Sequence, residues 1–271
     1  MAEERVKLSV NGRIATITLS NPKQLNALTA DDYYRLAQLM QHIATLPQVY
    51  ITILTGTGRF FSAGADVTST SRSPGPNEDV QRHFLKSFVA NNLYVTHTFY
   101  THPKILVVAL NGPAIGLSAA LTAFGDFVYA TQDAYLLTPF SSLGLVAEGG
   151  ASRAFVSRLG ISKANEALIM SKRLTVQELV QTGYVNKVFE TKKGDDKAFL
   201  EQVVREVDDR MGLHLNQDSL LKIKALIKKP EREIMDAQGV AEVFGGLERF
   251  VSGAPLEEFR KIASGEKKHK L

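Results

Sequence analysis

The chain has 271 residues, with 44% apolar and 22% charged side chains, the balance of a folded protein able to bury a large core. A formal net charge of +4 is too small to argue for nucleic acid, and the absence of cysteine excludes disulfides, thiolate metal sites and a cysteine nucleophile. No apolar run approaches the roughly 18 residues a membrane helix needs, and the first residues mix charges of both signs without the apolar stretch of a secretory signal.

Taken in order, Val6–Val10 and Ile14–Leu19 are β-rich runs joined by Asn11-Gly12, a favoured hairpin turn. Thr29 and Asp32 form a capping box, and Leu36, Leu39, Met40 and Ile43 recur at helical spacing up to Leu46-Pro47. Val49–Thr55 is a β-branched run with the pattern of a buried strand. Gly56-x-Gly58 is not the start of a dinucleotide fingerprint, because Phe61 stands where the third glycine belongs. Next comes Arg59–Val67, Arg-Phe-Phe-Ser-Ala-Gly-Ala-Asp-Val. Its small residues Ala63, Gly64 and Ala65 let a ligand approach the backbone closely. Alone, this stretch reads as a tight turn before the polar segment Thr68–Asp79, itself long enough to be a mobile loop or a lid.

Phe84, Phe88, Asn92, Val95 and Phe99 repeat at helical spacing. A buried amide in such a stripe must find partners, and the reading preferred for Asn92 is a helix-packing or local capping amide. Ile105–Leu110 is a strand buried on both faces. Asn111-Gly112-Pro113 is a turn, and Ala114–Phe124 reads as an apolar helix whose first-turn N–H groups lack intrahelical partners. Two short strands follow, over Phe127–Ala130 and Ala134–Leu137. The unit of strand, small-residue turn, helix and strand thus occurs twice, which predicts a repeating, coiled architecture rather than one open sheet.

Glu148 is the only ionisable group in Ser141–Gly150. A glutamate before Gly-Gly is ordinarily solvated, but Leu143, Leu145 and Val146 make an apolar neighbourhood that favours a working base. Helices are expected over Ala151–Leu159 and Lys163–Met170, and a second capping box, Thr175 with Glu178, opens another that ends at Gly183. From about residue 195 the pattern is helical throughout. Val203, Val204, Val207 and Met211 form one apolar face, and Val240, Phe244, Leu247 and Val251 another. The chain divides softly into a core, residues 1–197, and a helical region, residues 198–271, whose apolar stripes are candidates for subunit contacts. The last residues, His269-Lys270-Leu271, differ from a Ser-Lys-Leu peroxisomal address only at the first position.

Several runs, in this order, resemble the crotonase (enoyl-CoA hydratase/isomerase) superfamily over nearly the whole chain. They are Lys23 with Asn26-Ala27-Leu28, then Phe61-Ser62-Ala63-Gly64-Ala65-Asp66, and then Asn111-Gly112-Pro113-Ala114-Ile115-Gly116. Leu143-Gly144 and Gly149-Gly150 complete the set. The resemblance implies an α/β fold, a spiral of repeated ββα units with a C-terminal all-helical oligomerisation region that builds a homotrimer or homohexamer. It also implies an acyl-CoA thioester substrate whose oxygen sits in an oxyanion hole made by the backbone N–H groups of Ala65 and Leu117. Ala63, Gly64, Ala65, Asp66, Val67 and Leu117 are then the substrate-binding stretch.

Departures from the family narrow the reaction. Where its hydratases carry two glutamates, this sequence is similar in register but has Ala120 and Phe140, neither of which moves a proton. Glu148 remains, and its position resembles the lone glutamate of fungal peroxisomal Δ3,Δ2-enoyl-CoA isomerases. The resemblance implies a 1,3-proton shift on a 3-enoyl-CoA with Glu148 as base and Asn92 as a secondary auxiliary. It implies no metal, no redox cofactor, a place in the peroxisomal matrix and an import receptor reading His269-Lys270-Leu271. Another acyl-CoA reaction, either dienoyl-CoA isomerisation or thioester hydrolysis, and a non-catalytic acyl-CoA-binding scaffold are the alternatives.

Overall fold

The computed structural model describes residues 4–66, 74–75 and 77–267. Strands β1 (Val6–Asn11) and β2 (Ile14–Leu19) pair antiparallel across the expected hairpin, with Gly12 at φ +56° in its turn. Helix α1 (Ala30–Thr45) opens on the expected capping box: the Thr29 hydroxyl accepts from the Asp32 N–H, and the Asp32 carboxylate accepts from the Thr29 N–H. Strand β3 (Ile51–Gly56) leads to helix α2 (Val80–Phe84), a wide π turn over Leu85–Val89, and helix α3 (Ala90–Tyr100). Strand β4 (Ile105–Leu110) is followed by β5 (Ala114–Ile115) and helix α4 (Gly116–Thr122). Then come β6 (Phe127–Thr131), β7 (Tyr135–Leu137), α5 (Ala151–Leu159), α6 (Ile161–Leu168), β8 (Leu174–Thr175), α7 (Val176–Gln181) and β9 (Lys187–Phe189). Helices α8 (Asp196–Met211), α9 (Gln217–Lys228), α10 (Arg232–Val251) and α11 (Ala254–Ala263) complete the chain.

Two sheets result, one of order β1-β2-β3-β4-β6-β9 and a small one of order β5-β7-β8. From β2 to β9 the large sheet is parallel. Bridges Leu28–Ala65 and Ser62–Ala114 continue the second layer towards the N-terminus. After β2, β3, β4 and β6 the chain therefore leaves the large sheet, touches the second layer briefly and returns through helices. This is the coiled ββα repetition expected from the sequence, and the helical C-terminal region follows it.

All residues of β3 and β4 are buried. Leu54, Leu106, Val108 and Leu110 face the core shared with α1, α3, α4 and α5. Ile51, Ile53, Ile105 and Val107 face Phe199, Val203 and Val207 of α8. Helices cover both faces, which is why these strands read as continuous apolar runs.

Three local expectations change. The helix foreseen over Ala114–Phe124 starts two residues later, because Ala114 and Ile115 pair with Leu136 and Leu137. The stripe from Phe84 to Phe99 is not one regular helix: the Ala90 N–H reaches back to the Leu85 carbonyl, five residues away, and shifts the helical register. On α10 the inward face is Met235, Glu242, Val243, Leu247 and Phe250, whereas Val240, Phe244 and Val251 lie outward and exposed. Of the four residues read as that helix's apolar face, only Leu247 is buried. The short strands β8 and β9 were not foreseen, since two or three residues carry no periodicity.

Candidate active site

Two small-residue turns meet at the start of α4. The Phe61 and Ser62 N–H groups donate to the Pro113 carbonyl, and the Ile115 N–H donates to the Ser62 carbonyl at 2.9 Å. A Cβ on Gly64 (φ +87°) would stand 2.7 Å from the Ile115 carbonyl oxygen, and one on Gly112 would stand 2.2 Å from that of Arg59. Side chains at these two positions would push the turns apart.

The Leu28 N–H donates to the Gly64 carbonyl and the Asp66 N–H to the Leu28 carbonyl. In an extended backbone successive amides alternate, so the Ala65 N–H faces away from Leu28; Ala65 lines a cavity. Leu117, the second residue of α4, lines the same cavity, and its N–H, in the first turn, has no intrahelical acceptor.

A chain of buried hydroxyls fixes both turns. The Ser62 O–H donates to the Asn26 carbonyl at 2.8 Å. That single proton being committed, the 2.9 Å contact with Ser118 has Ser118 as donor. Tyr33 then donates to Ser118 at 2.8 Å. Ser62 also accepts from the Gly64 N–H. Helix α1, the first turn and α4 are thereby held in one arrangement.

The cavity, of about 800 Å³, is also lined by Glu148, 8% exposed. The Asn92 amide donates to its Oε2 at 3.1 Å, and the Thr96 hydroxyl donates to Asn92 Oδ1, which turns the amide nitrogen towards the carboxylate. Asn92 is therefore not a mere packing amide but a direct partner of the candidate base. Phe140 lines the cavity, and Ala120 is buried against Gly149.

The loop carrying Glu148 is held from α10. The Gly144 carbonyl accepts from Arg249 Nε at 2.8 Å. At the other end, buried Glu242 accepts from the Gly150 N–H at 2.6 Å and from the Ser152 N–H at 2.8 Å. Burial raises the Glu242 pKa, and its hydrogen bonds from Ser152 and Gly150 oppose that rise.

The cavity thus gathers Ala63, Gly64, Ala65, Asp66, Leu117, Asn92 and Glu148, which are far apart in sequence. Val67, most of the 68–79 segment read as a loop or lid, and His269-Lys270-Leu271 lie outside the described residues. Sequence reasoning missed Tyr33 and the closing wall of Phe250, Phe259, Ile262 and Lys267, contributed by the C-terminal helices and the residues after them. Lys267 is tied there to the Ser142 carbonyl and to Glu258. No periodicity relates these groups to the two turns, so the helical region could not be seen to complete the cavity.

A model of the family "Enoyl-CoA hydratase/isomerase" matches residues 9–218. Over 270 residues the chain is 57% identical to a Delta(3,5)-Delta(2,4)-dienoyl-CoA isomerase of Pyricularia oryzae, covering 96% of each chain. It is 36% identical to a 3,2-trans-enoyl-CoA isomerase of Saccharomyces cerevisiae, covering 99% of this chain and 97% of that one. A solved enoyl-CoA hydratase/isomerase from Pseudoalteromonas atlantica superposes with a TM-score of 0.83 at 24% identity, covering 98% of this chain and all of the other, and so shares the fold.

Proposed function

The chain belongs to the enoyl-CoA hydratase/isomerase family, and from that premise we propose that it isomerises the double bond of an enoyl-CoA, as a Δ3,Δ2-enoyl-CoA isomerase. The observation that carries this reading is Glu148: a buried carboxylate, bonded to Asn92, on an apolar cavity that Ala65 and Leu117 also line, with apolar residues at positions 120 and 140. One base is enough for a 1,3-proton shift, whereas adding water to a double bond calls for groups that positions 120 and 140 do not supply.

In this mechanism the thioester oxygen of a 3-enoyl-CoA is held by the Ala65 and Leu117 N–H groups. Glu148 takes a proton from C2, and the electron pair of that C–H bond delocalises through the C3–C4 double bond and the carbonyl. The dienolate places negative charge on the thioester oxygen, where fixed donors act most strongly. The protonated Glu148 then delivers the proton to C4, giving the conjugated 2-trans-enoyl-CoA. Asn92 keeps the carboxylate aimed at the substrate between the two transfers. No metal or redox cofactor is needed for these steps.

A second reading, dienoyl-CoA isomerisation, is favoured by Asp66, a further carboxylate on the same cavity, and by the identity to the Pyricularia relative. The deciding experiment follows ultraviolet absorbance of 3-hexenoyl-CoA and 3,5-octadienoyl-CoA with wild-type protein and Glu148→Gln. The expected outcome is conversion of 3-hexenoyl-CoA, lost in the variant, with acyl-CoA binding retained. Conversion of the dienoyl substrate alone would establish the second reading. Bound acyl-CoA without turnover of either substrate would make the protein a binding scaffold.

A further inference from the structure

We propose that Glu242, on the C-terminal helix α10, is a positioning residue for Glu148, so that the helical region completes the machinery of the base as well as the cavity wall. The inference rests on the isomerase reading above.

Glu148 sits on a loop with little intrinsic order. Gly149 and Gly150, the next two residues, both have left-handed backbone, φ +67° and +74°. Gly150 is also the N-cap of α5 and has no side chain to bond the free amides there. Glu242 supplies that cap from a distant segment. Its Oε2 accepts from the Gly150 N–H at 2.6 Å; its Oε1 accepts from the Ser152 N–H at 2.8 Å and the Ser152 hydroxyl at 2.5 Å. Gln238, one helical turn earlier on α10, donates to the same hydroxyl.

Glu242 is 6% exposed, and a carboxylate at that depth is retained at a cost unless its bonds specify something. What they specify is the backbone two residues beyond the candidate base. Arg249, on the same helix, holds the Gly144 carbonyl at the other end of the loop. The turn is closely packed: a Cβ on Gly149 would stand 2.7 Å from Leu117 Cδ1, and one on Gly150 would stand 2.7 Å from Met235 Cε. Leu117 carries an expected oxyanion donor, so α10 sets the base and the donor relative to each other.

The test is steady-state kinetics of Glu242→Gln on the enoyl-CoA that the wild type converts. Glutamine offers one acceptor oxygen where three donors converge and turns an NH2 towards a backbone N–H. The expected result is a fall in kcat of about 100-fold with KM within about twofold, the signature of a misplaced base rather than a damaged binding site. Ser152→Ala removes one donor while leaving both backbone bonds, and is expected to lower kcat about fivefold at unchanged KM. It decides the matter if Glu242→Gln does not fold. Unchanged kcat in a folded Glu242→Gln, or in Ser152→Ala should the first not fold, overturns the role of Glu242 and leaves the isomerase reading intact. A raised KM at constant kcat overturns it equally. No turnover by the wild type overturns the isomerase reading, and this role with it.

Discussion

His102 shows how a titratable residue can be placed in a core. It is buried between α3 and β4, and its Nε2 meets the Thr52 hydroxyl at 2.8 Å. Its ring also bonds the Met40 backbone, which fits a neutral ring that donates to the Met40 carbonyl and accepts from Thr52. Burial pushes the imidazole pKa down to about 3, helped by the positive charges of Lys224 and Lys104, while the bond to Met40 works the other way. The unfolded chain, with a histidine pKa of about 6.5, binds a proton over a range where the folded chain does not. The resulting stability is fully present above about pH 6.5 and is lost as the pH falls towards about 3. Urea midpoints measured from about pH 7 to about pH 4 should therefore drop more steeply for wild type than for His102→Gln. Parallel curves would mean that His102 is not held neutral. A lone histidine in sequence carries no sign of this.

Helix α9 runs against the usual amphipathic rule. It turns Lys224 inward and leaves Ile223, Leu226 and Ile227 exposed. Lys224 Nζ meets Asp126 Oδ2 at 2.6 Å and donates to the Lys104 carbonyl at 2.6 Å. Asp126 in turn accepts from the Leu106 N–H at 2.8 Å, so one carboxylate joins α9 to the edge of β4. Without Lys224, Asp126 would keep only the more exposed Lys228, 3.6 Å from its Oδ1, as a counter-charge. Lys224→Ala should cost about 3–5 kcal/mol in chemical denaturation. A loss below about 1 kcal/mol would show the pair to be a surface-like contact of little weight. At this same scale the capping boxes at Thr29 and Thr175 were legible beforehand, because a cap is a local pattern of four residues. The π turn at Leu85–Val89 was not. Within it, Phe88 packs against Gly246 of α10, a contact no local pattern encodes.

Over the whole molecule, Ile223, Leu226 and Ile227 of α9 are between 54% and 71% exposed, an apolar face that we propose is covered by a second copy of the chain. Its place on the outer side of the helical region supports assembly of identical chains. Sedimentation should give three or six times the 29.7 kDa chain mass, and Leu226→Asp should shift it downward. A wild type sedimenting as one chain would remove this reading. The sequence by itself determined the repeated unit of strand, small-residue turn, helix and strand and the two close-approach turns, because these rest on β-branched runs, small residues and local caps. It could also exclude cysteine chemistry outright. Tertiary structure alone decided that Asn92 donates to Glu148, that Tyr33 and Ser118 brace both turns, and that Glu242 on α10 grips the loop of the base. Those contacts join residues 56 to 92 positions apart, and no period or motif encodes such distances. The same limit hid the inward face of α10: hydrophobicity marks Val240 and Phe244 as core, yet the small and charged side, Gly239, Glu242 and Gly246, is the one that fits against the loop and the aromatic wall.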